Sequence, residues 1–287
     1  MNQAALTLIL ALSVGGMGLA SGGKRVLWSD SDPLSAVSSG PAAMPFPAAQ
    51  EEGGPPYNGQ FTYVRLRYGD DLRSAPSWGS RSRRGRGGRG PTWAHDWPDA
   101  EMNFSKIVEA TTFIDTYTGG YGGRVLTLDD PELFRYPIAT IIEVGYWNPS
   151  DEDIANLRAY LLKGGFLIVD DTRQERGFEF QNFYAQMKRA LPEYEIQPVP
   201  DDHEIFNSFF SIPEPRDLAA PYGWNIPEYL GIFEDNDPEA GRLMVMVNWN
   251  QDLQEYWEFS DRGYYPIDLS NEAYQFGVNF LIYALTH

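Results

Sequence analysis

Short apolar segments that alternate with amphipathic segments constrain the fold of this chain more than any other feature of its sequence. Residues 124–128, 139–145 and 166–171 are short, apolar and rich in β-branched side chains, which predicts buried β-strands. Longer segments of helical periodicity lie between them. Because strands that alternate with helices form parallel sheets covered on both faces, the pattern predicts an α/β fold with a doubly wound, mostly parallel sheet.

Residues 149–165 form the clearest predicted helix. Ser150 can cap its first turn, and Asp153 stands three residues later, where a capping box places its second partner. Gly164 follows the last apolar position and can end the helix. Residues 201–240 show neither the helical nor the strand pattern of apolar residues and are predicted to be irregular. The remaining predicted elements are strands at 61–69, 194–200 and 242–249 and helices at 99–118, 180–191 and 271–287.

The N-terminal residues 1–20 are predicted to be a signal peptide. An apolar run from Ala4 to Val14 precedes small residues at Gly18 and Ala20, which fit a cleavage site. No lysine or arginine precedes the run, which leaves an uncleaved membrane anchor or a misplaced start as alternatives. A cleaved signal predicts an exported protein, periplasmic or secreted, with at most a membrane tether through this segment.

Composition divides the rest of the chain. Residues 21–58 are rich in Ser, Pro, Ala and Gly and are predicted to be a disordered tether, followed by a single α/β domain over 59–287. Within that domain, residues 74–93 form an Arg/Gly-rich loop with five arginines between Arg81 and Arg89. We interpret this loop either as a flexible solvated segment or as a flap that attracts an anionic ligand or an acidic partner surface.

Composition also excludes several classes of protein. The 287 residues include no cysteine, which excludes disulfides, thiolate nucleophiles, Cys-ligated zinc and lipid attachment at an N-terminal cysteine. The formal net charge of −18 argues against nucleic acid as a partner, because phosphate binding needs a basic surface.

Polar residues follow several predicted strands at the point where each strand ends. In an open parallel sheet, ligands bind beyond the carboxyl ends of the strands, so these residues are predicted to share one crevice. The residues have ordinary alternatives, since loops are polar, Asp99 can cap the first helix and His95 can be a packed structural histidine. The candidate ligand-binding residues are His95, Asp96, Asp99, Glu101, Trp147, Asp170, Asp171 and His203.

Asp170 and Asp171, at the end of the stretch "GGFLIVDDTR", are the most informative pair. Successive strand residues point to opposite faces, so one aspartate is expected to face the crevice and the other to bond the backbone of a neighbouring loop. With His95 and His203, one of them would make a set of two histidines and one carboxylate for a metal ion. No local ligand spacing supports that set, and residues 235–241 depart from a calcium loop, so neither a metal nor a cofactor is predicted.

Five stretches of the sequence together resemble a bacterial family. In chain order they are "HDWPDAEMNF", "LRAYLLKGGFLIVDD", "PDDHEIF", "GRLMVMVNWNQDL" and "FGVNFLIYA". On these stretches the chain is identified as a member of domain-of-unknown-function family 4159, with a resemblance that covers almost all of residues 61–287. Members of this family resemble class I glutamine amidotransferases and trehalose-utilisation-type domains in fold, which implies a flavodoxin-like doubly wound sheet.

The chain departs from the amidotransferases where their chemistry takes place. Those enzymes carry a cysteine on a tight strand-to-helix turn, assisted by a histidine and an acid, whereas this sequence has Asp170, Asp171 and Thr172 at the matching place. His203 is followed directly by Glu204, so the later His-x-Glu pair is not evident. Ammonia release through a thioester is therefore excluded, and the resemblance implies a fold and a crevice but no reaction.

Two hypotheses of function remain. The first is a non-catalytic ligand-binding or assembly module of the cell envelope, whose partner is an unknown small polar ligand or an envelope protein. The second is a hydrolase that uses carboxylate and histidine acid–base chemistry on a sugar or another small polar substrate. Trp93, Trp97 and Trp147 could then stack on sugar rings. The missing nucleophile favours the first hypothesis.

Overall fold

The computed structural model describes residues 56–69, 91–173, 177–221 and 226–287. The predicted signal peptide, the tether up to residue 55 and residues 74–90 of the Arg/Gly-rich loop lie outside these ranges. The strands are β1 (Tyr63–Leu66), β2 (Gly123–Leu126), β3 (Ile138–Ile142), β4 (Phe166–Thr172), β5 (Ile196–Pro198), β6 (Glu228–Phe233) and β7 (Leu243–Trp249). The α-helices are α1 (Asp99–Thr111), α2 (Asp151–Leu162), α3 (Phe178–Ala190), α4 (Leu253–Glu258) and α5 (Ile267–Thr286).

The seven strands form one mixed sheet in the order β2-β1-β3-β4-β7-β6-β5. The first five strands in this order run parallel, whereas β6 runs antiparallel to both of its neighbours. The prediction of an α/β fold with a mostly parallel sheet is therefore confirmed. Strand β5, at one edge, contributes only three residues, and its Pro198 pairs with Leu230 of β6.

Helices cover both faces of the sheet. Since successive strand residues point in opposite directions, each strand contributes side chains to two separate cores. Phe166 and Ile168 of β4 belong to a core that includes residues of α1, α4 and α5. Leu167 and Val169 of the same strand belong to a second core, shared with α2 and α3. Burial on both sides explains why the first four residues of β4, Phe166 to Val169, are all apolar rather than alternating.

Local signals predict the ends of α2 correctly. Ser150 Oγ accepts a hydrogen bond from Asp153 N at 3.1 Å, and Asp153 Oδ2 accepts one from Ser150 N at 2.9 Å, which together form the capping box. Gly164 follows with a φ of +102°, a conformation that favours glycine. Helix α1, in contrast, ends at Thr111 rather than at residue 118, because the backbone of Thr112 is extended.

Two elements lie where the sequence predicts none. The expectation that residues 201–240 are irregular is wrong for β6, whose central glycine weakens its strand signal. A Cβ atom at Gly231 would come within 2.4 Å of Leu243 Cδ1, so a larger residue here would force the packed Leu243 side chain to move. Helix α4 has six residues, too few to show helical periodicity.

None of the helices in the described ranges combines the length and the apolar composition that a membrane crossing requires.

Candidate functional site

At one edge of the sheet, the backbone adopts a left-handed conformation immediately after or at the end of three strands. Glu143 follows β3, Asp171 lies near the end of β4 and Asn250 follows β7, with φ angles of +47°, +48° and +58°. Asp96, between β1 and α1, has a φ of +61°. Left-handed backbone costs a non-glycine residue about 1–3 kcal/mol, and such strain concentrates at functional sites. This clustering makes the carboxyl edge of the sheet the candidate site.

A β-bulge in β4 aims its two aspartates at different partners. The pairing of β4 with β7 shifts register between Val169 and Thr172, so β4 carries one residue more than its partner over this interval. A bulge bends its strand and redirects a side chain, and bulges are frequent next to active sites. Here the bulge separates the roles of Asp170 and Asp171, both of which are buried.

Asp170 holds the start of α4. Its Oδ2 accepts a hydrogen bond from Gln254 N at 3.0 Å, and its Oδ1 accepts bonds from Leu253 N at 3.3 Å and Asn248 Nδ2 at 2.8 Å. Burial raises the pKa of Asp170 to about 6, although these three donors oppose the shift. Asp170 therefore has the backbone-bonding role expected for one aspartate of the pair.

Asp171 binds two cationic side chains instead. His95 Nδ1 lies 3.0 Å from Asp171 Oδ2, and Arg173 Nη2 lies 2.7 Å from Asp171 Oδ1. Burial by itself would raise the pKa of Asp171, but the charges of Arg173 and His95 hold it well below its usual range. Asp171 is thus ionised and links the end of β4 to the segment before α1.

His95 is surrounded by carboxylates. Besides Asp171, its Nδ1 lies 3.7 Å from Asp96 Oδ1 and 3.8 Å from Glu143 Oε1. Burial alone would lower the pKa of His95, but the hydrogen bond and charge of Asp171, together with Glu143, raise it to about 10. The imidazole is therefore protonated at neutral pH. In that form it can donate a proton but cannot act as a general base.

Arg65 of β1 anchors the segment that carries His95. Its guanidinium is fully buried, forms an ion pair with Glu101 of α1 and donates a hydrogen bond to Gln254 Oε1 of α4. Its Nη1 also donates to Trp93 O at 3.2 Å and to His95 O at 2.9 Å. One buried cation thus connects β1, α1, α4 and the segment before α1. Because Glu101 pairs with Arg65, its role is to hold that arginine in place and not to contact a ligand.

The N-cap residue of α4 and two positions within the helix add carboxylates to the site. Asp252 Oδ1 caps α4 by accepting a hydrogen bond from Glu255 N at 3.0 Å. Burial and the neighbouring Asp171 raise the pKa of Asp252 well above its usual range. Burial, followed by the charge of Glu255, raises the pKa of Glu258 to about 7. Burial and the charges of Glu255 and Glu258 likewise raise the pKa of Asp96.

This arrangement can hold a cation or supply a proton. Carboxylates outnumber cationic groups, and a bound cation would offset their mutual repulsion. Among the residues that the structure describes, two sets of three side chains offer ligand atoms within 4.8 Å of one another. Both sets include His95: one adds Asp96 and Glu255, the other Glu143 and Asp171. Across the described ranges, no hydroxyl group forms a hydrogen bond with His95.

Two further predicted residues lie outside this cluster. Asp99 lies in the first turn of α1, where it forms an ion pair with Arg262. Trp147 is buried in the core shared with α2 and α3, so it cannot stack on a ligand, and its carbonyl accepts a hydrogen bond from Asn182. The expectation that Trp147 lines the crevice is therefore wrong, because its indole fills the core.

His203 lies at the opposite edge of the sheet, so the expectation that it shares the crevice is wrong. Its ring centroid lies 5.7 Å from that of Phe233 and 5.6 Å from that of Tyr283. Tyr283 Oη accepts a hydrogen bond at 2.9 Å from the backbone N–H of Leu243, the first residue of β7. After its last ladder hydrogen bond, at Val199, the chain turns back toward the strand starts and carries His203 with it.

Several members of the site are absent from the sequence-based prediction. The rule that selected His95 also finds the acids of α4 when it is applied to the segment after residues 242–249. Glu143 lies within the predicted strand 139–145, so the rule for residues after strands does not select it. No sequence signal marks Arg65, which lies within a predicted strand. The additional residues are Arg65, Glu143, Arg173, Asp252, Glu255 and Glu258.

Comparison with known proteins places the chain in a family. A search of curated proteins gives no match. The sequence model of a family described as Domain of unknown function (DUF4159) matches residues 81–285, a range that contains every cluster residue named above except Arg65. Since the match covers well over half of the 287 residues, the chain belongs to the DUF4159 family.

Proposed function

We propose that the chain is an exported, non-catalytic module of the cell envelope that binds a small polar ligand at the carboxyl edge of a flavodoxin-like sheet. The order of its parallel strands, β2-β1-β3-β4-β7, supports this fold, because flavodoxin-like sheets have the order 2-1-3-4-5. In such sheets the ligand binds where the strand order reverses, between β1 and β3. His95 follows β1 and Glu143 follows β3, and their facing atoms are 3.8 Å apart.

The observation that carries this proposal is the state of His95. Its Nδ1 faces Asp171 Oδ2 at 3.0 Å, and the described part of the chain brings no hydroxyl group to it. Nucleophilic catalysis needs a neutral base beside a nucleophile. A site with a fixed charge pattern and no such pair is suited to binding. The signal-like residues 1–20 support export.

The experiment compares Asp171→Asn with Asp170→Asn in the full chain. The two residues are adjacent and equally buried, but only Asp171 contacts His95. A thermal-shift screen of small polar compounds is expected to find a ligand that stabilises the wild-type protein, because binding to the native state raises its stability.

Both variants are expected to lose about 1–3 kcal/mol of unfolding free energy, since each leaves buried hydrogen-bonding groups without a partner. Only Asp171→Asn is expected to lose the ligand. If Asp170→Asn loses it equally, or if no compound binds the wild type, the proposed site is wrong.

A second candidate function is a hydrolase that uses carboxylate and histidine acid–base chemistry on a sugar or a similar substrate. The observation in its favour is Glu258, whose pKa of about 7 suits a general acid at neutral pH. Release of a chromophore from aryl glycosides and esters would test it. Activity that Glu258→Gln abolishes and that the surface change Glu109→Gln leaves intact would establish catalysis in place of simple binding.

A further inference from the structure

Asp96 is a buried carboxylate, 5% exposed, to which no N–H or hydroxyl group of the described residues donates a hydrogen bond. The side chain of Glu258 lies within hydrogen-bond reach of it, and two carboxyl groups placed in this way need a proton or a cation between them. An unsatisfied buried polar group costs about 1–3 kcal/mol, and more when it is charged. Asp96 also faces a cationic side chain, with 3.7 Å between Asp96 Oδ1 and His95 Nδ1. A carboxylate placed at such cost beside a second carboxyl group indicates a site for a cation or a shared proton.

The neighbours of Asp96 show which kind of ligand fits. One ring nitrogen of His95 and one carboxylate oxygen each from Asp96 and Glu255 lie within 4.8 Å of one another. Ligand atoms around one ion with bonds of about 2.1 Å are separated by about 3.0–4.2 Å, so small side-chain movements would bring these three onto a common ion. Tyr265 donates a hydrogen bond at 2.8 Å to Glu255 Oε1, which leaves Oε2 for an ion.

We propose that His95, Asp96 and Glu255 bind a divalent transition-metal ion such as Mn²⁺ or Zn²⁺. This inference rests on the proposed function, because it names the ligand class of the same site. One imidazole and two carboxylates suit these ions, whereas Ca²⁺ and Mg²⁺ are bound mainly through oxygen. The charge of the ion would also offset the excess of carboxylates contributed by α4.

The pairing of His95 with Asp171 is consistent with metal binding. A metal-bound histidine usually donates the N–H of its other ring nitrogen to a carboxylate, which fixes the orientation of the ring. Asp171 Oδ2 lies 3.0 Å from His95 Nδ1, so the ion would take Nε2 and displace its proton, because a metal-bound imidazole is neutral. The described ranges contain no hydrogen-bond partner for Nε2. Asp171 is then a positioning residue rather than a ligand.

The alternative set of His95, Glu143 and Asp171 is less suited to a cation. Arg173 Nε donates a hydrogen bond to Asp171 Oδ1 at 2.9 Å. Arg173 Nη2 forms an ion pair with the same oxygen at 2.7 Å. The guanidinium already neutralises that carboxylate and would repel a second positive charge. Neither Asp96 nor Glu255 forms an ion pair with an arginine in the part of the chain that the structure describes.

The test is calorimetric titration of the full, chelator-treated chain, without a histidine tag, with MnCl₂ and with ZnCl₂. One ion is expected to bind per chain. Asp96→Asn and Glu255→Gln are each expected to weaken binding by at least about tenfold. The matched controls Asp202→Asn and Glu109→Gln change exposed carboxylates outside the cluster and should bind as the wild type does. Asn tolerates the left-handed backbone at position 96, and thermal melts of both variants verify folding.

Each result decides the proposal. Absence of saturable binding of either ion overturns it, and so does binding that both site variants leave unchanged. In the first case, the Asp96 oxygens are explained by a proton shared with Glu258. A polar organic compound that stabilises the wild type in the absence of metal binding would leave the proposed function standing and this inference refuted. Metal binding in the absence of any organic ligand would support the metal site and refute the proposed binding of a small polar compound.

Discussion

Two of the three histidines, His95 and His203, lie at opposite edges of one sheet and show how differently these edges are built. His95 is enclosed by carboxylates, which raise its pKa to about 10 against the effect of burial. His203 packs between aromatic rings, where burial lowers its pKa although Glu204 opposes the shift. The same residue type is a cation at the carboxyl edge and a packing group at the edge where the strands begin. The charged surroundings, not the histidine itself, distinguish a candidate site.

Backbone strain also occurs at both edges, with different explanations. At the edge of His203, Asp235 and Asn236 have φ angles of +56° and +57° in the connection from β6 to β7. Asn236 Oδ1 accepts a hydrogen bond from Glu195 N at 2.7 Å, so this conformation belongs to a tight turn stabilised by its own side chain. At the carboxyl edge, the strained Glu143 presents its carboxylate to His95.

The largest effect that would test this comparison is expected from Arg65→Met. The variant leaves the Glu101 carboxylate buried without its partner, which typically costs about 3–5 kcal/mol. Arg216→Met, which breaks an exposed ion pair with Asp201 near His203, is expected to cost less than about 1 kcal/mol. Urea unfolding measures both values.

The double variant Arg65→Met with Glu101→Met provides the control for this prediction. Replacing both partners of a buried ion pair by apolar side chains is often neutral or stabilising, so the double variant should recover the part of the loss that comes from the unpaired Glu101. The rest should remain, because Trp93 O, His95 O and Gln254 Oε1 still lose the Arg65 donor. If Arg65→Met costs no more than Arg216→Met, the carboxyl edge is not held together by buried charge and the contrast between the edges disappears.

A smaller effect is expected from relieving backbone strain at each edge. Glu143→Gly and Asp235→Gly should each raise the free energy of unfolding by up to about 1 kcal/mol, because glycine adopts positive φ at little cost. Only Glu143→Gly should also weaken ligand binding at the carboxyl edge. Equal binding in the two variants would mean that the strain at Glu143 serves the turn alone.

The smallest effect is expected from His203→Asn. An asparagine at this helix N-cap can still accept the hydrogen bond from Ile205 N, which His203 Nδ1 accepts at 3.1 Å, but it does not titrate. In the unfolded chain a histidine titrates near about 6.5, above the lowered pKa of folded His203, so protonation destabilises the fold as the pH decreases below that value. The wild type should therefore lose more stability than the variant between about pH 7 and pH 5.

Solvent partly screens His203, so the difference should stay well below about 1 kcal/mol. Thermal melts across this pH range measure it. A variant that loses as much stability as the wild type on acidification would show that other groups at this edge control the pH response.

Much of the fold follows from sequence patterns because those patterns are local. The capping box of α2 and the apolar run of β4 each depend on neighbouring residues, and both are predicted correctly. The α4 acids follow a predicted strand, but their proximity to Asp170 and Asp171 depends on the pairing of β7 with β4, between residues far apart in the chain. His203 is misplaced because the rule that loops after strands share one edge fails when the chain turns back.

The site itself was only partly predictable for the same reason. His95 and the two aspartates follow predicted strands, so their convergence could be expected. The bulge that gives Asp170 and Asp171 different partners is a register shift between β4 and β7, which no local pattern encodes. Arg65, an arginine in the middle of a buried strand, becomes explicable only when Glu101 and Gln254 are seen around it.

The short strand β5 has a consequence for the behaviour of this protein in concentrated solution. An exposed sheet edge offers unpaired N–H and C=O groups to which a strand of another molecule can bind, and this is a common route to aggregation. β5 exposes only three residues, and the last, Pro198, has no N–H to donate. The sheet therefore ends in a border that resists edge-to-edge association of neighbouring molecules.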